Sequence, residues 1–283
     1  MLYRGIVALV SFAAAITSAT AQISPYERGR YLVEAVMACD GCHTPRPGGV
    51  LDMQRRFSGG SQVWDEPAYT VRGANITQDV ETGIGAWSTE DIKKLLTEGM
   101  RPNGVQVAHE MPYPFYKILT AGDLEAVATY TKAIRAVRNQ VPPPIYKTAS
   151  HTELIPGGET PFRDADLDDT PKRGFYLATI AHCMECHSRR PDGTQDYKTW
   201  YGKGGYIFKG PFGQVPAKNI SSHKEKGIGA WTDAEIRDAL VKGIDRNGRS
   251  FHLPMARHIY FAKMTEADLS ALIAWVRTIP PIE

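Results

Sequence analysis

The chain has 283 residues and a formal net charge of +2, with 33 Lys and Arg against 31 Asp and Glu. Nothing in this balance suggests nucleic-acid binding, which would call for a concentrated basic face. The length suits two domains of ordinary size, and the four cysteines form two closely spaced pairs.

The first 21 residues have the three parts of a secretory signal peptide. Arg4 supplies a positive charge, residues 5–16 are apolar, and Ala19-Thr20-Ala21 is a small-x-small cleavage site. We therefore predict export and cleavage after Ala21; an uncleaved membrane anchor is the alternative. No other stretch of the sequence is long and apolar enough to cross a bilayer, so we expect membrane contact to be peripheral at most.

The rest of the chain repeats itself at an offset of 144 residues. A match of this length in a constant register indicates a duplication. The matched segments are Cys39-Asp-Gly-Cys42-His43 with Cys183-Met-Glu-Cys186-His187, Asn75-Ile76-Thr77 with Asn219-Ile220-Ser221, and Gly83-Ile84-Gly85-Ala86-Trp87 with Gly227-Ile228-Gly229-Ala230-Trp231. Met111 likewise matches Met255, and the last helix matches at an offset of 145.

Three main helices are predicted in each copy, joined by long loops rich in glycine and proline. Capping residues, proline in the first turn and glycine after the end mark their boundaries. The helices begin at Ser24-Pro25 and Thr170-Pro171, at Ser88 and Thr232, and at Thr120 and Thr265, and the middle pair ends at Gly99 and Gly243. Strand-like alternation is scarce, so the predicted fold class is all-α.

Proline and acidic residues between the two copies predict a linker. Pro142-Pro143-Pro144 favours a stiff, extended chain, and residues 164–169 are acidic and prone to turns. We therefore predict a first domain over residues 22–138, a linker over 139–169 and a second domain over 170–283.

Each Cys-x-x-Cys-His segment has the spacing of a c-type haem attachment motif. Its two thiols can add to the two vinyl groups of a haem, and the adjacent histidine can bind the iron from below. Cys39, Cys42, Cys183 and Cys186 are thus predicted to attach two haems c, with His43 and His187 as iron ligands. A redox disulfide would belong in a βαβ pattern, and a zinc site would need further ligands in each copy; both are weaker alternatives.

Met111 and Met255 are the predicted sixth ligands of the two irons. Each lies 68 residues after its motif histidine, beside a proline and after Asn-Gly. Met/His ligation is the pattern of cytochromes c, and it leaves no open position for a substrate. Met100 is a rival whose counterpart is Ile244, and His109 and His252 are rivals that do not match each other in register.

Other repeated residues have two interpretations. Trp87 and Trp231 either pack in the core or lie near a haem, with the indole N–H bonded to a propionate. Asn75 and Asn219 either bind polar groups of the same loop or form turns. The arginine pairs at 55–56 and 189–190 are interpreted as solvated surface, with the rim of a docking face as the alternative.

The chain resembles class I cytochromes c in its Cys-x-x-Cys-His motifs, the later methionines and the final helices. The Asn-Ile-Thr segment, the Thr-Gly-Ile-Gly-Ala-Trp segment and Met111-Pro-Tyr resemble, more specifically, the cytochrome c subunits of bacterial periplasmic dehydrogenases. The resemblance implies two tandem class I cytochrome c domains in the periplasm. It also implies a dehydrogenase catalytic subunit as electron donor, and we expect a downstream cytochrome or oxidase as acceptor.

Two classes of function compete. The first is an electron-transfer protein with no catalytic residues of its own. The second is a dihaem redox enzyme with a displaceable axial ligand, of the peroxidase or thiosulfate dehydrogenase type. Thiosulfate dehydrogenases look like dihaem proteins with a cysteine among the iron ligands, whereas every cysteine here is used in haem attachment.

Overall fold

A computed structural model of the protein describes residues 23–60, 62–148, 153–210 and 212–283. The predicted signal peptide, residues 1–21, lies outside the described residues. In the described ranges, helices that combine the length and the apolar character needed to cross a bilayer are absent. We call residues 23–148 the first half and residues 153–283 the second half.

The first half is mainly helical. Its helices are α1 (Pro25–Tyr31), α2 (Asp40–His43), α3 (Thr89–Glu98), α4 (Tyr113–Tyr116) and α5 (Ala121–Lys132), and a π-helical turn over Leu32–Val36 extends α1. Ser24, Ser88 and Thr120 each cap a helix through their hydroxyl oxygen, as the sequence predicted. Gly99 ends α3 with a left-handed backbone, at φ 70°.

The second half repeats this order of helices. They are α6 (Thr170–Ile180), α7 (Cys183–His187), α8 (Asp233–Val241), α9 (His258–Phe261) and α10 (Glu266–Val276). The predicted start of α6 at Thr170 is confirmed, and the residue that caps it is Asp169. Its carboxylate accepts a bond of 2.9 Å from the backbone N–H of Lys172. Asp169 is the residue equivalent to Ser24 at an offset of 145.

The all-α prediction is incomplete, because each half also contains an antiparallel hairpin. Strand β1 (Val63–Glu66) pairs with β2 (Tyr69–Arg72), and β4 (Ile207–Gly210) pairs with β5 (Gly213–Pro216). These strands have four residues each, and β1 and β4 are largely exposed. β2 does alternate, with Tyr69 and Val71 buried, but four residues are too few for the period to be recognised in the sequence, and the other strands are mostly exposed.

Part of the predicted linker packs on the first half. A third strand, β3 (Ile145–Tyr146), pairs with β2 and extends the first hairpin. Ile155 is buried in the main core, and the backbone N–H of Phe162 donates to the carbonyl of Ile118 at 2.9 Å. The linker therefore contributes structure rather than serving only as a spacer.

The first and last helices of each half cross at very short range. A Cβ on Gly29 of α1 would lie 1.9 Å from the carbonyl oxygen of Ala126 in α5. A Cβ on Gly174 of α6 would lie 2.1 Å from the carbonyl oxygen of Ala271 in α10. Only glycine allows this approach of helix to backbone, and both pairs are equivalent at an offset of 145.

Two reciprocal hydrogen bonds join the halves. The hydroxyl of Tyr31 donates to Asp268 at 2.5 Å, and the hydroxyl of Tyr176 donates to Asp123 at 2.6 Å. Tyr31 is equivalent to Tyr176, and Asp123 is equivalent to Asp268, so each half makes the same bond to the other. This is the pattern of an isologous interface with an approximate twofold axis.

Charges and apolar packing support the same interface. Arg28 binds Asp123 at 2.7 Å within the first half, and its equivalent Arg173 binds Asp268 at 2.6 Å within the second. Both carboxylates are almost fully buried, so each needs its arginine and its tyrosine as partners. One continuous cluster of buried apolar side chains contains residues from both halves.

Replacing Gly29 or Gly174 by alanine is expected to destabilise the protein by about 1–3 kcal/mol each, because the added methyl group would overlap a backbone carbonyl. Urea unfolding of the purified mature protein measures the effect. Gly122→Ala is the matched control, since a Cβ there would make only ordinary van der Waals contacts, with Asp164 at 3.6 Å and Thr120 at 3.9 Å. Equal midpoints for all three variants would contradict the close crossing.

Tyr31→Phe and Tyr176→Phe should each lower the free energy of unfolding by about 1–3 kcal/mol, because each leaves a buried carboxylate without one donor. The two losses should be similar, since the bonds are equivalent. Tyr26→Phe, at a residue that is 40% exposed, is the control. If both variants had the same free energy of unfolding as Tyr26→Phe, the interface described above would be wrong.

Candidate functional site

Both Cys-x-x-Cys-His motifs lie on short helices, α2 and α7, that follow the first helix of each half. The residue before the first cysteine is Ala38 in the first half and His182 in the second. Both have left-handed backbones, at φ 56° and φ 47°. This conformation is strained for residues other than glycine. Both motifs are therefore preceded by the same strained backbone conformation, at equivalent positions.

The motif histidines are oriented by backbone carbonyls. Nδ1 of His43 lies 2.7 Å from the carbonyl oxygen of Ala74, and Nδ1 of His187 lies 2.7 Å from that of Lys218. Because a carbonyl only accepts, each Nδ1 carries the proton and each Nε2 keeps a lone pair for a metal. Burial lowers the pKa of both imidazoles, which favours the neutral, metal-binding form. Each acceptor lies 31 residues after its histidine, so the sequence does not identify it.

The motif cysteines are deep in the protein but not enclosed. Burial raises the pKa of the thiols to about 12 for Cys39 and Cys186 and to about 11 for Cys42 and Cys183. All four side chains still have partly accessible surface. Cys183 and Cys186 are not bonded to each other in this structure.

Met111 and Met255 lie in equivalent loops. The carbonyl of Met111 accepts from the backbone N–H of Tyr113 at 2.7 Å, and that of Met255 accepts from Arg257 at 2.6 Å. Met111 packs against the core cluster that Cys39 also contacts, and Met255 is half-buried. The structure therefore presents the two thioethers in matching loops, and their binding to iron remains a prediction.

The rival ligands have other surroundings. His109 lies 3.1 Å from the hydroxyl of Tyr69, and His252 is exposed. Met100 lies in a β-bridge with Gln106, and its counterpart Ile244 lies in the equivalent bridge with Ser250. The three rival ligands therefore do not occupy equivalent positions in the two halves.

Trp87 and Trp231 are half-buried and pack against the core. Their carbonyls accept bonds from Lys132 Nζ at 2.8 Å and from Arg277 Nη2 at 2.5 Å, and these two cations are equivalent at an offset of 145. The packing agrees with the simpler interpretation of both tryptophans. The bond from the indole N–H to a propionate stays a prediction.

Asn75 and Asn219 form turns, as one of their two interpretations predicted. Each side-chain oxygen accepts from the backbone N–H two residues later, at 3.0 Å and 2.8 Å. Each side-chain amide donates to the segment that follows the last helix, at the carbonyls of Val137 and Ile282. The repeated asparagines therefore connect the loop that contains them to the segment after the last helix of the same half.

The interpretation as solvated surface is wrong for Arg56. Arg56 binds the buried Asp40 and also Glu34, so it holds the first motif against the helix before it. Arg190, whose side chain is 40% exposed, binds Asp196 six residues later and agrees with the surface interpretation. A solvated arginine and one that binds a buried carboxylate look the same in a sequence, because the partner is distant along the chain.

Sequence reasoning also missed cations that cross between the halves beside the motifs. Arg46 Nη2 donates to the hydroxyl of Tyr260 at 3.1 Å, and Arg257 Nη2 lies 3.4 Å from the carbonyl of Met37. The only signal for Arg257 is the change of offset from 144 at Met255 to 145 in the last helix, which marks an inserted residue.

These features fit a covalently bound haem. The donors present are paired thiols, an imidazole with Nε2 available, and a thioether in a loop, which together are the c-type attachment and ligand set. Buried polar atoms without a hydrogen-bond partner occur at Arg46 Nε, Glu110 Oε2 and Arg257 Nε. Such atoms require an explanation, and a group that the polypeptide does not supply is one.

Comparison with known proteins supports this chemistry. Residues 171–280 match the family model of cytochrome c. The chain is 30% identical to the fructose dehydrogenase cytochrome subunit of Gluconobacter japonicus, over 93% of this chain and 54% of that protein. It is 30% identical to the cytochrome c subunit of the quinone alcohol dehydrogenase of Gluconobacter oxydans (strain 621H), over 90% of this chain and 55% of the relative.

A third relative is of similar length to this chain. It is a dihaem cytochrome c-type protein of Cereibacter sphaeroides, 25% identical over 87% of this chain and 83% of its own. The chain spans about half the length of the two dehydrogenase subunits. Residues 171–280 therefore form a cytochrome c domain, and the chain is homologous to cytochrome c subunits of dehydrogenases.

Proposed function

We propose that the protein is a periplasmic dihaem c-type cytochrome that transfers electrons. The observation that supports this most directly is that both motif histidines make the same orienting contact. Nδ1 of His43 and Nδ1 of His187 each lie 2.7 Å from a backbone carbonyl oxygen at equivalent positions. A duplicated motif without function would have no reason to keep its orienting contact. The matched cytochrome c domain supports the same conclusion for the second half.

In this proposal residues 22–138 and residues 170–283 each form one haem-binding domain. The thiols of Cys39 and Cys42, and of Cys183 and Cys186, anchor one haem each. His43 with Met111, and His187 with Met255, supply the axial ligands. When bound, the haem supplies one-electron chemistry; the chain holds its ligands rigidly, since the motif helices and the carbonyl bonds fix them.

We also infer the direction of transfer from the relatives. The dehydrogenase relatives are cytochrome subunits, so we propose a dehydrogenase catalytic subunit as donor and a downstream cytochrome or oxidase as acceptor. With both axial positions filled by protein, neither iron has an open site for substrate. This favours electron transfer over the alternative of a dihaem peroxidase or thiosulfate dehydrogenase.

The haem content should be two per chain when the protein is made in a host that attaches haem covalently. Replacing both cysteines of one motif by alanine, at 39 and 42 or at 183 and 186, should reduce it to one, because the thioether bonds hold the cofactor. A pyridine haemochrome spectrum with a protein assay measures the ratio. Each double variant is the matched control of the other, and a wild-type ratio below two would refute the dihaem proposal.

Met111→Ala and Met255→Ala should each halve the far-red absorption band of methionine bound to ferric haem, and the double variant should abolish it. Each loss removes one thioether ligand and lowers the reduction potential of that haem. Met100→Ala is the control and should keep the full band. A wild-type protein with two haems and a weak band would mean another ligand or an open iron, and the enzyme alternative would then lead.

A further inference from the structure

Arg257 lies at the junction of the halves, close to the first attachment motif. Its side chain starts from the Met255 loop of the second half, and its Nη2 lies 3.4 Å from the carbonyl oxygen of Met37 in the first half. Met37 is two residues before Cys39. In the second half, Arg257 is two residues after Met255, whose carbonyl accepts from the backbone N–H of Arg257 at 2.6 Å. One cation is therefore placed beside both sites.

Arg257 also breaks the symmetry of the duplication. Met111 and Met255 are equivalent, and so are the helices α4 and α9 that follow them, but one residue separates Met111 from Tyr113 and two separate Met255 from His258. His258 covers Gly243 as Tyr113 covers Gly99, so the extra residue lies between the methionine and the helix. The extra length brings an arginine to the junction for which the first half has no equivalent.

The surroundings of Arg257 leave its charge only partly compensated. Nε is buried without a hydrogen-bond partner, and the guanidinium carbon lies 5.3 Å from the centre of the Phe261 ring. None of the ion pairs of the described residues involves Arg257. A charge held in such a partly buried place acts on its neighbours more strongly than one in bulk water.

We propose that Arg257 is a positioning residue that places one positive charge against both haem sites and raises the reduction potential of each. The inference rests on the proposed dihaem function. A ferric haem carries one more positive charge than a ferrous haem, so a nearby cation disfavours the oxidised state. An inserted arginine in one half would thus tune the haem of the other half as well as its own.

Glu185 provides an opposing charge at the second site. It lies inside the second motif, directly before Cys186, and contacts His182 at 2.8 Å. By the same reasoning as for Arg257, its carboxylate stabilises the oxidised state of the second haem. Removing it should therefore raise the potential of that haem.

The test is a spectroelectrochemical titration of the holoprotein, with both haems resolved by their midpoint potentials. Arg257→Gln should shift both midpoints downward, and Arg257→Lys, which keeps the charge, should leave both near the wild-type values. Arg237→Gln is the matched control for loss of one positive charge, because Arg237 is on α8 and pairs with Glu266 at 2.6 Å. It should change neither midpoint.

Glu185→Gln should shift the midpoint of the second haem upward, and it decides the question for that haem if Arg257→Gln binds haem poorly. A shift confined to one haem or no shift in Arg257→Gln, or an equal downward shift in Arg257→Lys, would overturn the proposal. Fewer than two haems, or no reversible reduction, in the wild-type protein would instead refute the proposed function. A failure of the proposed function therefore appears in the wild-type protein, whereas a failure of the inference about Arg257 appears only in the variants.

Discussion

Each half of the protein depends on the close crossing of its first and last helices. The crossing is possible because Gly29 and Gly174 present no side chain to the carbonyls of Ala126 and Ala271. The first helix leads directly into the Cys-x-x-Cys-His motif, so its position against the last helix fixes where the motif begins. The hairpin and the methionine loop lie between these two helices in the sequence, so the helix crossing holds together the two ends of the half that contains them.

The long loops are held by side chains rather than by regular secondary structure. Asn75 and Asn219 connect the loop under each motif histidine to the segment after the last helix. Lys132 and Arg277, from the last helices, bind the carbonyls of Trp87 and Trp231. Loops anchored at several points can carry ligand residues with the small positional freedom that a metal site requires.

The sequence predicted the local features of the fold well and the long-range ones poorly. Caps at Ser24, Ser88 and Thr232 were predictable, because a cap and its partner lie three residues apart. The acceptors of His43 and His187 were not, since each lies 31 residues further along the chain in an irregular loop. The bond between Tyr31 and Asp268 spans 237 residues and leaves no periodic signal at all. The ligand motifs could be read because their spacing is local, whereas the junction at Arg257 could not.

The reciprocal bonds between Tyr31 and Asp268 and between Tyr176 and Asp123 have an evolutionary consequence. An interface in which each partner offers the same tyrosine and the same carboxylate is self-complementary, so two identical copies of a single ancestral domain would pair through it as a homodimer. Fusing two such genes requires no new contact surface. The later insertion beside Met255 could then make the copies unequal without disturbing the surface that joins them.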